Sequence, residues 1–184
     1  MDRLTPSGSD LTLWVSLVAV FTALTTVATA VLFVPIPATD GYFNFGDIMV
    51  MISGLLLGPI GGFVAGGVGS MLADAVLAPF YVPITLVVKG LEGMAVGFLS
   101  SRTKSIDEAS QWDVAAVIVA SAIMLLGYFL AEGLVFGFGP ALIELLLFNF
   151  LQVAAGSIVT LLVGPKLRWY LASQSREVGV LPED

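Results

Sequence analysis

The chain has 184 residues, of which 58% are hydrophobic and 11% are charged, and its mean hydropathy is +1.01. Soluble domains carry about 25% charged residues, so this composition excludes them and indicates an integral membrane protein. Because the chain has no cysteine or histidine, it cannot form a disulfide, a thiolate or imidazole metal site, or a histidine-dependent triad. The net charge of −7 leaves no basic surface for nucleic acid.

Six apolar runs predict an all-α integral membrane protein, a bundle of six transmembrane helices that forms one domain over residues 1–184. The predicted spans cover about 11–34, 47–57, 61–77, 83–101, 113–132 and 141–164, and a polar tail follows from Pro165. The first run is long, and Asp2 and Asp10 flank the single Arg3 before it. Both features favour a retained helix over a cleaved signal peptide.

Prolines and glycines predict the breaks between the first spans. Pro35 and Pro37 end the first helix, and 38–46 is predicted to be a loop that enters the second span. Gly58 and Pro59 predict a tight turn. Four glycines recur every four residues around it: Gly54, Gly58, Gly62 and Gly66. Such spacing is typical of close helix packing in lipid, which we favour over a ligand role.

The charged loops predict the orientation. All the basic residues outside the spans fall on the side of the termini: Arg3, Arg102, Lys104, Lys166, Arg168 and Arg176. By the positive-inside rule, both termini are expected in the cytoplasm of a multi-pass cell-membrane protein.

Ionisable residues inside the spans are the strongest functional signal. A charge at the bilayer centre costs about 2.5–3.5 kcal/mol on insertion scales. Six such residues all fall in the predicted outer half: Asp47, Asp74, Lys89, Glu92, Glu132 and Glu144. Because intramembrane charges usually face a bundle interior or water, they predict a polar cavity that opens to the outside.

Two pairs at i, i+3 spacing leave two interpretations open. Lys89 and Glu92 share one helix face, where they either bind substrate or form a structural ion pair, with Asp74 as a further partner. Asn149 and Gln152 repeat this spacing with neutral amides, for which hydrogen bonds between helices are slightly favoured over a ligand role.

Aromatic residues extend the candidate set. Tyr42 and Asn44 lie in the predicted outer loop, where they suit a planar heteroaromatic ligand or an interfacial belt. The full set of candidate substrate-binding residues is Tyr42, Asn44, Asp47, Asp74, Lys89, Glu92, Tyr128, Glu132, Asn149 and Gln152. On the first helix, Ala19 and Ala23 form a small stripe that packs inside the bundle or against another membrane protein, and the sequence modestly favours the first option.

Three segments together resemble a known family. Six short spans with YFNFGD, LLLGPIGGFVAGGVGSMLAD and TLVVKGLEG in this order resemble the substrate-binding S component of energy-coupling factor (ECF) transporters, which import vitamins into prokaryotes. The resemblance is densest over residues 44–97 and extends in topology and length over nearly the whole chain.

The resemblance implies a six-helix bundle that captures a vitamin or a vitamin precursor from outside, beneath the loop between the first two helices. It implies that Ala19 and Ala23 form an Ala-x-x-x-Ala motif that docks a membrane T component, itself coupled to two ATPase subunits. The chain has no Walker-type motif, which agrees with ATP hydrolysis by a partner. No cofactor and no metal are expected.

The shared segments do not identify the vitamin. One base among several acids disfavours a strongly anionic ligand, so the best interpretation is a small hydroxymethylpyrimidine-, thiamin- or B6-like ring. The alternative function is a self-sufficient secondary transporter or channel in which the buried acids relay protons. A membrane enzyme is disfavoured because no nucleophile with a positioned base is visible.

Overall fold

A computed structural model describes residues 8–31, 33–37 and 39–177, with side chains from 11 to 174 in this part of the chain. The sequence features at Asp2 and Arg3, and the side chains of Asp10 and Arg176, lie outside the described residues. The helices are α1 (Gly8–Val31), α2 (Gly46–Phe63), α3 (Gly69–Leu77), α4 (Val82–Ser100), α5 (Gln111–Val135), α6 (Phe138–Glu144) and α7 (Phe150–Glu177). Single π-helical segments, Val64–Val68 and Leu145–Asn149, join α2 to α3 and α6 to α7.

Five continuous helical segments in the described chain are long and apolar enough to cross a membrane, and one of them is folded back on itself. Within Gly46–Leu77, Gly58 has φ 77° and ψ −172°, a conformation essentially restricted to glycine, and Pro59 follows it. A Cβ built on Gly62 would lie 2.7 Å from the Cα of Gly54. In a straight helix these residues would be about 12 Å apart. The chain therefore reverses at the predicted turn, and it makes six passes.

The segment between α1 and α2 differs from the predicted loop. It forms an antiparallel hairpin of β1 (Phe33–Ile36) and β2 (Gly41–Asn44), in which Phe33 pairs with Asn44. The first helix accordingly ends at Val31, before the predicted boundary at residue 34. Strand pairing satisfies backbone groups within the protein, which irregular backbone facing lipid cannot do.

The folded helical segment Gly46–Leu77 forms a second, helical hairpin, the α2–α3 hairpin. Its first arm is too short to cross the hydrocarbon alone. Gly46 to Leu57 spans about 18 Å at 1.5 Å per residue, whereas the hydrocarbon is about 30 Å thick. The arm begins where the Asn44 side chain accepts a hydrogen bond from the Gly46 backbone N–H, at 2.7 Å. Strand β2, which is buried at both of its ends, covers the space above this helix start.

Glycines bring the hairpin and α4 into backbone contact. A Cβ on Gly93 would lie 2.3 Å from the carbonyl oxygen of Gly62, and a Cβ on Gly54 would lie 2.3 Å from the carbonyl oxygen of Gly93. Gly97 meets the backbone of Gly58 in the same way. The predicted glycine stripe is therefore a packing seam between three helical segments, in agreement with the favoured interpretation.

Helix α1 packs on the hairpin through polar side chains. The Trp14 indole N–H donates to the carbonyl oxygen of Leu57 at 3.1 Å, beside the break in the hairpin. The Thr26 hydroxyl donates to the Gly69 carbonyl oxygen at 2.8 Å. In contrast, Ala19 and Ala23 are both exposed. The interpretation that these alanines pack inside the bundle is therefore wrong.

The end of the bundle that carries the basic loop is held by one ion pair. Arg168 on α7 donates to both carboxylate oxygens of Asp113 at 3.1–3.2 Å, and its Nε donates to the carbonyl oxygen of Ile106 at 3.3 Å. Helix α7 continues through Pro165 to Glu177, well beyond the predicted end of the sixth span. The loop before α5 is thereby fixed against the last helix.

We expect Gly93→Ala to destabilise the bundle, because its new methyl group would overlap the carbonyl oxygen of Gly62. Overpacking of this kind costs about 1–3 kcal/mol. A lower midpoint of thermal unfolding in detergent, compared with the wild type, would confirm the seam.

Gly139→Ala is the matched control, since no atom lies within 4 Å of a Cβ at that position. Equal unfolding midpoints for the two variants would contradict a close packing role for Gly93.

Candidate substrate-binding site

A small polar cavity lies beneath strand β2, between the α2–α3 hairpin and helices α4, α5 and α7. Its volume is about 30 Å³, well below the roughly 300–1,000 Å³ of small-molecule sites, so the lining must open to admit a cargo. Its lining residues are Gly41, Tyr42, Asn44, Asp74, Tyr81, Thr85, Met124, Tyr128, Glu132, Glu144, Asn149 and Gln152. Hydroxyl, carboxylate and amide groups therefore surround an aromatic wall.

Helical periodicity explains the wall formed by α5. Met124, Tyr128 and Glu132 recur every four residues, so they lie on one face of the helix. All three are buried in this lipid-embedded helix because that face turns toward the cavity. On the neighbouring helix, Thr85 bonds the hydroxyl of Tyr128 at 2.8 Å, which fixes the ring.

A π-helical segment shapes the opposite wall. Glu144 and Asn149 are five residues apart, and on a regular α-helix their side chains would point in different directions. Here the π-helical segment Leu145–Asn149 follows Glu144 and ends at Asn149. Its wider turn places both side chains at the cavity, and Gln152 follows one turn later. Single π-helical turns often occur at functional sites.

Strand β2 is fastened over the cavity by side-chain hydrogen bonds. The Tyr42 hydroxyl donates to Asp74 on α3, and the backbone N–H of Asn44 donates to the Gln152 amide oxygen at 2.9 Å. Burial, reinforced by the charge of Asp74, raises the pKa of Tyr42 above its usual range. The phenol therefore stays protonated and remains a donor at physiological pH.

The turn between the strands is fastened at a second point. The Thr39 hydroxyl donates to Glu144, and the hydroxyl of Tyr81 donates to the Thr39 carbonyl oxygen at 2.8 Å. Thr39 is fully buried as a result. The β-hairpin is thus tied to α3, to the start of α4 and to the α6–α7 helix around the rim of the cavity.

Two lining side chains keep unused hydrogen-bonding groups. Glu132 is only 1% exposed, and its carboxylate oxygens make no well-formed hydrogen bond in the described structure, although Tyr81 and Glu144 are its polar neighbours. The Asn149 side-chain nitrogen is likewise buried without a partner. Since buried polar groups are normally satisfied, these two mark a place where a ligand would supply the missing partners.

Lys89 lies behind the cavity rather than in its wall. Its ammonium group contacts Asp47 on α2, and it lies 3.1 Å from Glu92 Oε2 on its own helix. The same nitrogen is 5.6 Å from the ring centroid of Tyr128, within the range of a cation–π contact. All three charged residues are buried, so they form a closed ion-pair cluster that supports the aromatic wall.

The structure brings most of the predicted site residues together. Those that line the cavity are Tyr42, Asn44, Asp74, Tyr128, Glu132, Asn149 and Gln152. The other three, Asp47, Lys89 and Glu92, form the adjacent ion-pair cluster. Asp74 pairs with Tyr42 and takes no direct part in that cluster, contrary to the suggestion that it joins the Lys89–Glu92 pair.

Sequence reasoning missed several lining residues. Tyr81 and Thr85 are placed eight and four residues before Lys89, on the same helical face, so the spacing could have indicated them. Tyr81 was assigned to a connecting segment, and Thr85 carries no charge. Gly41 lies in the segment predicted as a loop, where no periodicity applies, and so does Thr39, whose contacts lie at the rim of the cavity. Met124 was inconspicuous among other apolar residues.

Comparisons with known proteins agree with this geometry. Residues 11–169 match the family model described as the S component of the ECF-type riboflavin transporter. The chain is 41% identical over 119 residues to an uncharacterised protein from the gap 3′ region of Pyrococcus woesei, which covers 65% of this chain and 78% of that protein. It is also 28% identical over 153 residues to the thiamine precursor transporter HmpT of Lactococcus lactis subsp. cremoris (strain MG1363), which covers 82% and 84%.

The family match spans most of the chain, and the six-pass helical bundle agrees with the fold expected for an S component. The resemblance inferred from the three sequence segments is therefore confirmed. This chain is a multi-pass membrane protein that belongs to the family of ECF-type riboflavin transporter S components.

Proposed function

We propose that this chain captures a small, neutral or weakly basic ring compound, an aminopyrimidine or pyridine of the vitamin-precursor type, from outside the cell. It delivers this cargo together with a membrane T component and two ATPase subunits. The observation that carries the proposal is the buried polar cavity beneath the β-hairpin, where aromatic, carboxylate and amide groups face one another.

The charges around the cavity support a cargo without negative charge. Asp74, Glu132 and Glu144 lie in the lining, whereas Lys89, the nearby cation, is already engaged by two carboxylates. The relative HmpT is named as a thiamine precursor transporter, which is consistent with a small pyrimidine. Riboflavin, which appears in the family description, is the competing cargo.

The orientation follows from the distribution of basic residues between the two ends of the bundle. Arg102, Lys104 and Arg168 lie at the end of the bundle opposite the cavity, where the positive-inside rule places the cytoplasm. We therefore assign the cavity to the outer side and both termini to the cytoplasm.

The exposed face of α1 supports docking of the T component. Ala19 and Ala23 are both exposed and lie one turn apart on α1. Small residues at this spacing let another membrane helix approach closely.

The ion-pair cluster has no open face toward the cavity, so we assign Lys89 and its partners a supporting role.

We expect Tyr128→Leu to weaken binding of the cargo, because it removes the aromatic face and the hydroxyl while it retains apolar bulk. The loss should be about tenfold or more, from one stacking contact and one hydrogen bond. Native mass spectrometry identifies the retained cargo, and calorimetry with hydroxymethylpyrimidine and with riboflavin measures the affinity.

Tyr170→Leu is the control, since that tyrosine is exposed near the other end of the bundle. Unchanged affinity in a folded Tyr128→Leu protein would reject the cavity as the binding site. Uptake by the purified chain alone in liposomes, driven by a proton gradient, would instead support the secondary transporter.

We expect Lys89→Met to destabilise the protein strongly, because it leaves Asp47 and Glu92 buried without a cation. Breaking a buried pair in this way costs about 3–5 kcal/mol. The triple variant Asp47→Asn, Lys89→Met, Glu92→Gln removes all three charges and should recover much of the loss in thermal unfolding.

The affinity for cargo separates the two interpretations of Lys89. If the triple variant is stable and binds cargo as the wild type does, the cluster is structural. A stable triple variant that has lost binding by more than tenfold would show that Lys89 or its partners contact the cargo.

We expect Ala23→Trp to block assembly with the T component and to leave cargo binding intact, since Ala23 is exposed and remote from the cavity. Co-purification with tagged T component measures assembly. Ile118→Trp on the exposed face of α5 is the control, because that side chain is 62% exposed. Retained assembly of Ala23→Trp would reject the docking assignment.

A further inference from the structure

We propose that Glu132, with Asn149 in the same cavity lining, selects the cargo by a cationic or amino-bearing edge, so that the protein takes the unphosphorylated amine and rejects its phosphate ester. This inference rests on the proposed function and assigns its specificity to two side chains. The carboxylate accepts from the amino group or protonated ring nitrogen, and the amide donates to an adjacent ring nitrogen.

The first argument is that Glu132 makes no well-formed hydrogen bond. It is fully enclosed, it lines the cavity, and its polar neighbours Tyr81 and Glu144 leave both of its oxygens without one in the described structure. A buried carboxylate in this state loses the hydration it would have in water, and a donor that enters the cavity would supply the missing hydrogen bonds.

The second argument is the like charge opposite. Glu144 lies close enough to Glu132 for the two carboxyl groups to interact, and its hydrogen bond from Thr39 holds it in place. Two carboxylates at short range in a poorly hydrated site repel each other, so the pair shares a proton while no cation lies between them. A cationic edge placed between them lets both groups ionise and bind it, whereas a neutral acceptor leaves the pair sharing its proton.

The third argument is that the cavity lining offers a hydrogen-bond donor, on Asn149, as well as an acceptor, on Glu132. The unused Asn149 nitrogen and the unused Glu132 oxygens belong to the same cavity lining. Together they present a donor and an acceptor, the complement of an aminopyrimidine edge, in which an amino group adjoins a ring nitrogen. Selectivity for such an edge is strong because the wrong edge leaves buried groups unpaired.

The fourth argument concerns phosphate. The cavity lining contains no lysine or arginine, and Lys89 behind it is held by Asp47 and Glu92. The other described basic side chains lie toward the opposite end, at Arg102, Lys104, Lys166 and Arg168. A phosphate group would therefore enter a carboxylate-lined site without a counter-charge.

Three probes test the proposal on the purified full chain by calorimetry. They are 4-amino-5-hydroxymethyl-2-methylpyrimidine, its 4-oxo counterpart and its monophosphate. We expect the wild type to prefer the amino compound over each of the others by about tenfold or more, the effect of one charge-assisted hydrogen bond.

Glu132→Gln distinguishes recognition from a structural role. Its amide can donate to a carbonyl oxygen, so the preference for the amino over the oxo probe should fall by about tenfold or more. A merely structural role would weaken both probes alike. Asn149→Leu should weaken the amino probe, and Glu108→Gln, an exposed glutamate in the loop before α5, should change nothing.

The possible failures are distinguishable. If the amino probe binds and Tyr128→Leu weakens it, but Glu132→Gln keeps the wild-type preference, the inference is wrong and the proposed function stands. Tight binding of the monophosphate also overturns the inference. If the wild type binds none of the three probes, both the aminopyrimidine assignment and the inference are refuted.

Discussion

The contact of Lys89 with Asp47 and Glu92 is the constraint on which the site depends. It joins the first turn of α2 to the middle of α4, inside a bundle whose other surfaces face lipid. An unpaired charge in such surroundings is costly, so the two helices have one favourable rotation and one favourable register. This register also sets the position of Tyr128, whose ring lies against the ammonium group of Lys89. The ion-pair cluster thereby determines where the aromatic wall of the cavity stands.

For Lys89 on α4 to reach Asp47 on α2, the two helices must lie close together, which requires residues without side chains where they cross. Gly54, Gly62 and Gly93 are these residues, since each backbone takes the space that a neighbouring Cβ would occupy. In lipid, close packing and polar contacts replace the hydrophobic drive between helices. The glycine seam and the ion-pair cluster therefore act together. The seam sets the distance between α2 and α4, and the charges set their rotation.

Much of this arrangement could be predicted from the sequence, and the limits have physical causes. Apolar runs and the Gly58-Pro59 pair predicted six passes, because length and breaking residues are local properties. The i, i+3 spacing placed Asn149 and Gln152 on one helix face, and both line the cavity. Spacing could not show that Lys89 is already neutralised, since its partner Asp47 comes from another helix.

The remaining differences also depend on tertiary contacts. The β-hairpin forms where a loop was predicted because strand pairing and the contacts of Tyr42 and Thr39 outweigh weak local preferences. The π-helical turn before Asn149 has no sequence signal of its own. The sequence also could not predict that Ala19 and Ala23 lie on the outer surface of the bundle, since a small-residue stripe has the same spacing whether it packs inside or outside.

The α2–α3 hairpin lies between the two surfaces that the proposed function uses. On one side it contacts α1, where Thr26 bonds the Gly69 backbone and the exposed alanines form the proposed docking face. On the other side it contributes Asp74 to the cavity and Asp47 to the ion-pair cluster. A change at α1 that moved the hairpin would therefore act on Tyr42 through Asp74 and on Tyr128 through Lys89. The covering strand and the aromatic wall are thus attached, through Asp74 and Lys89, to the same helical hairpin that α1 contacts.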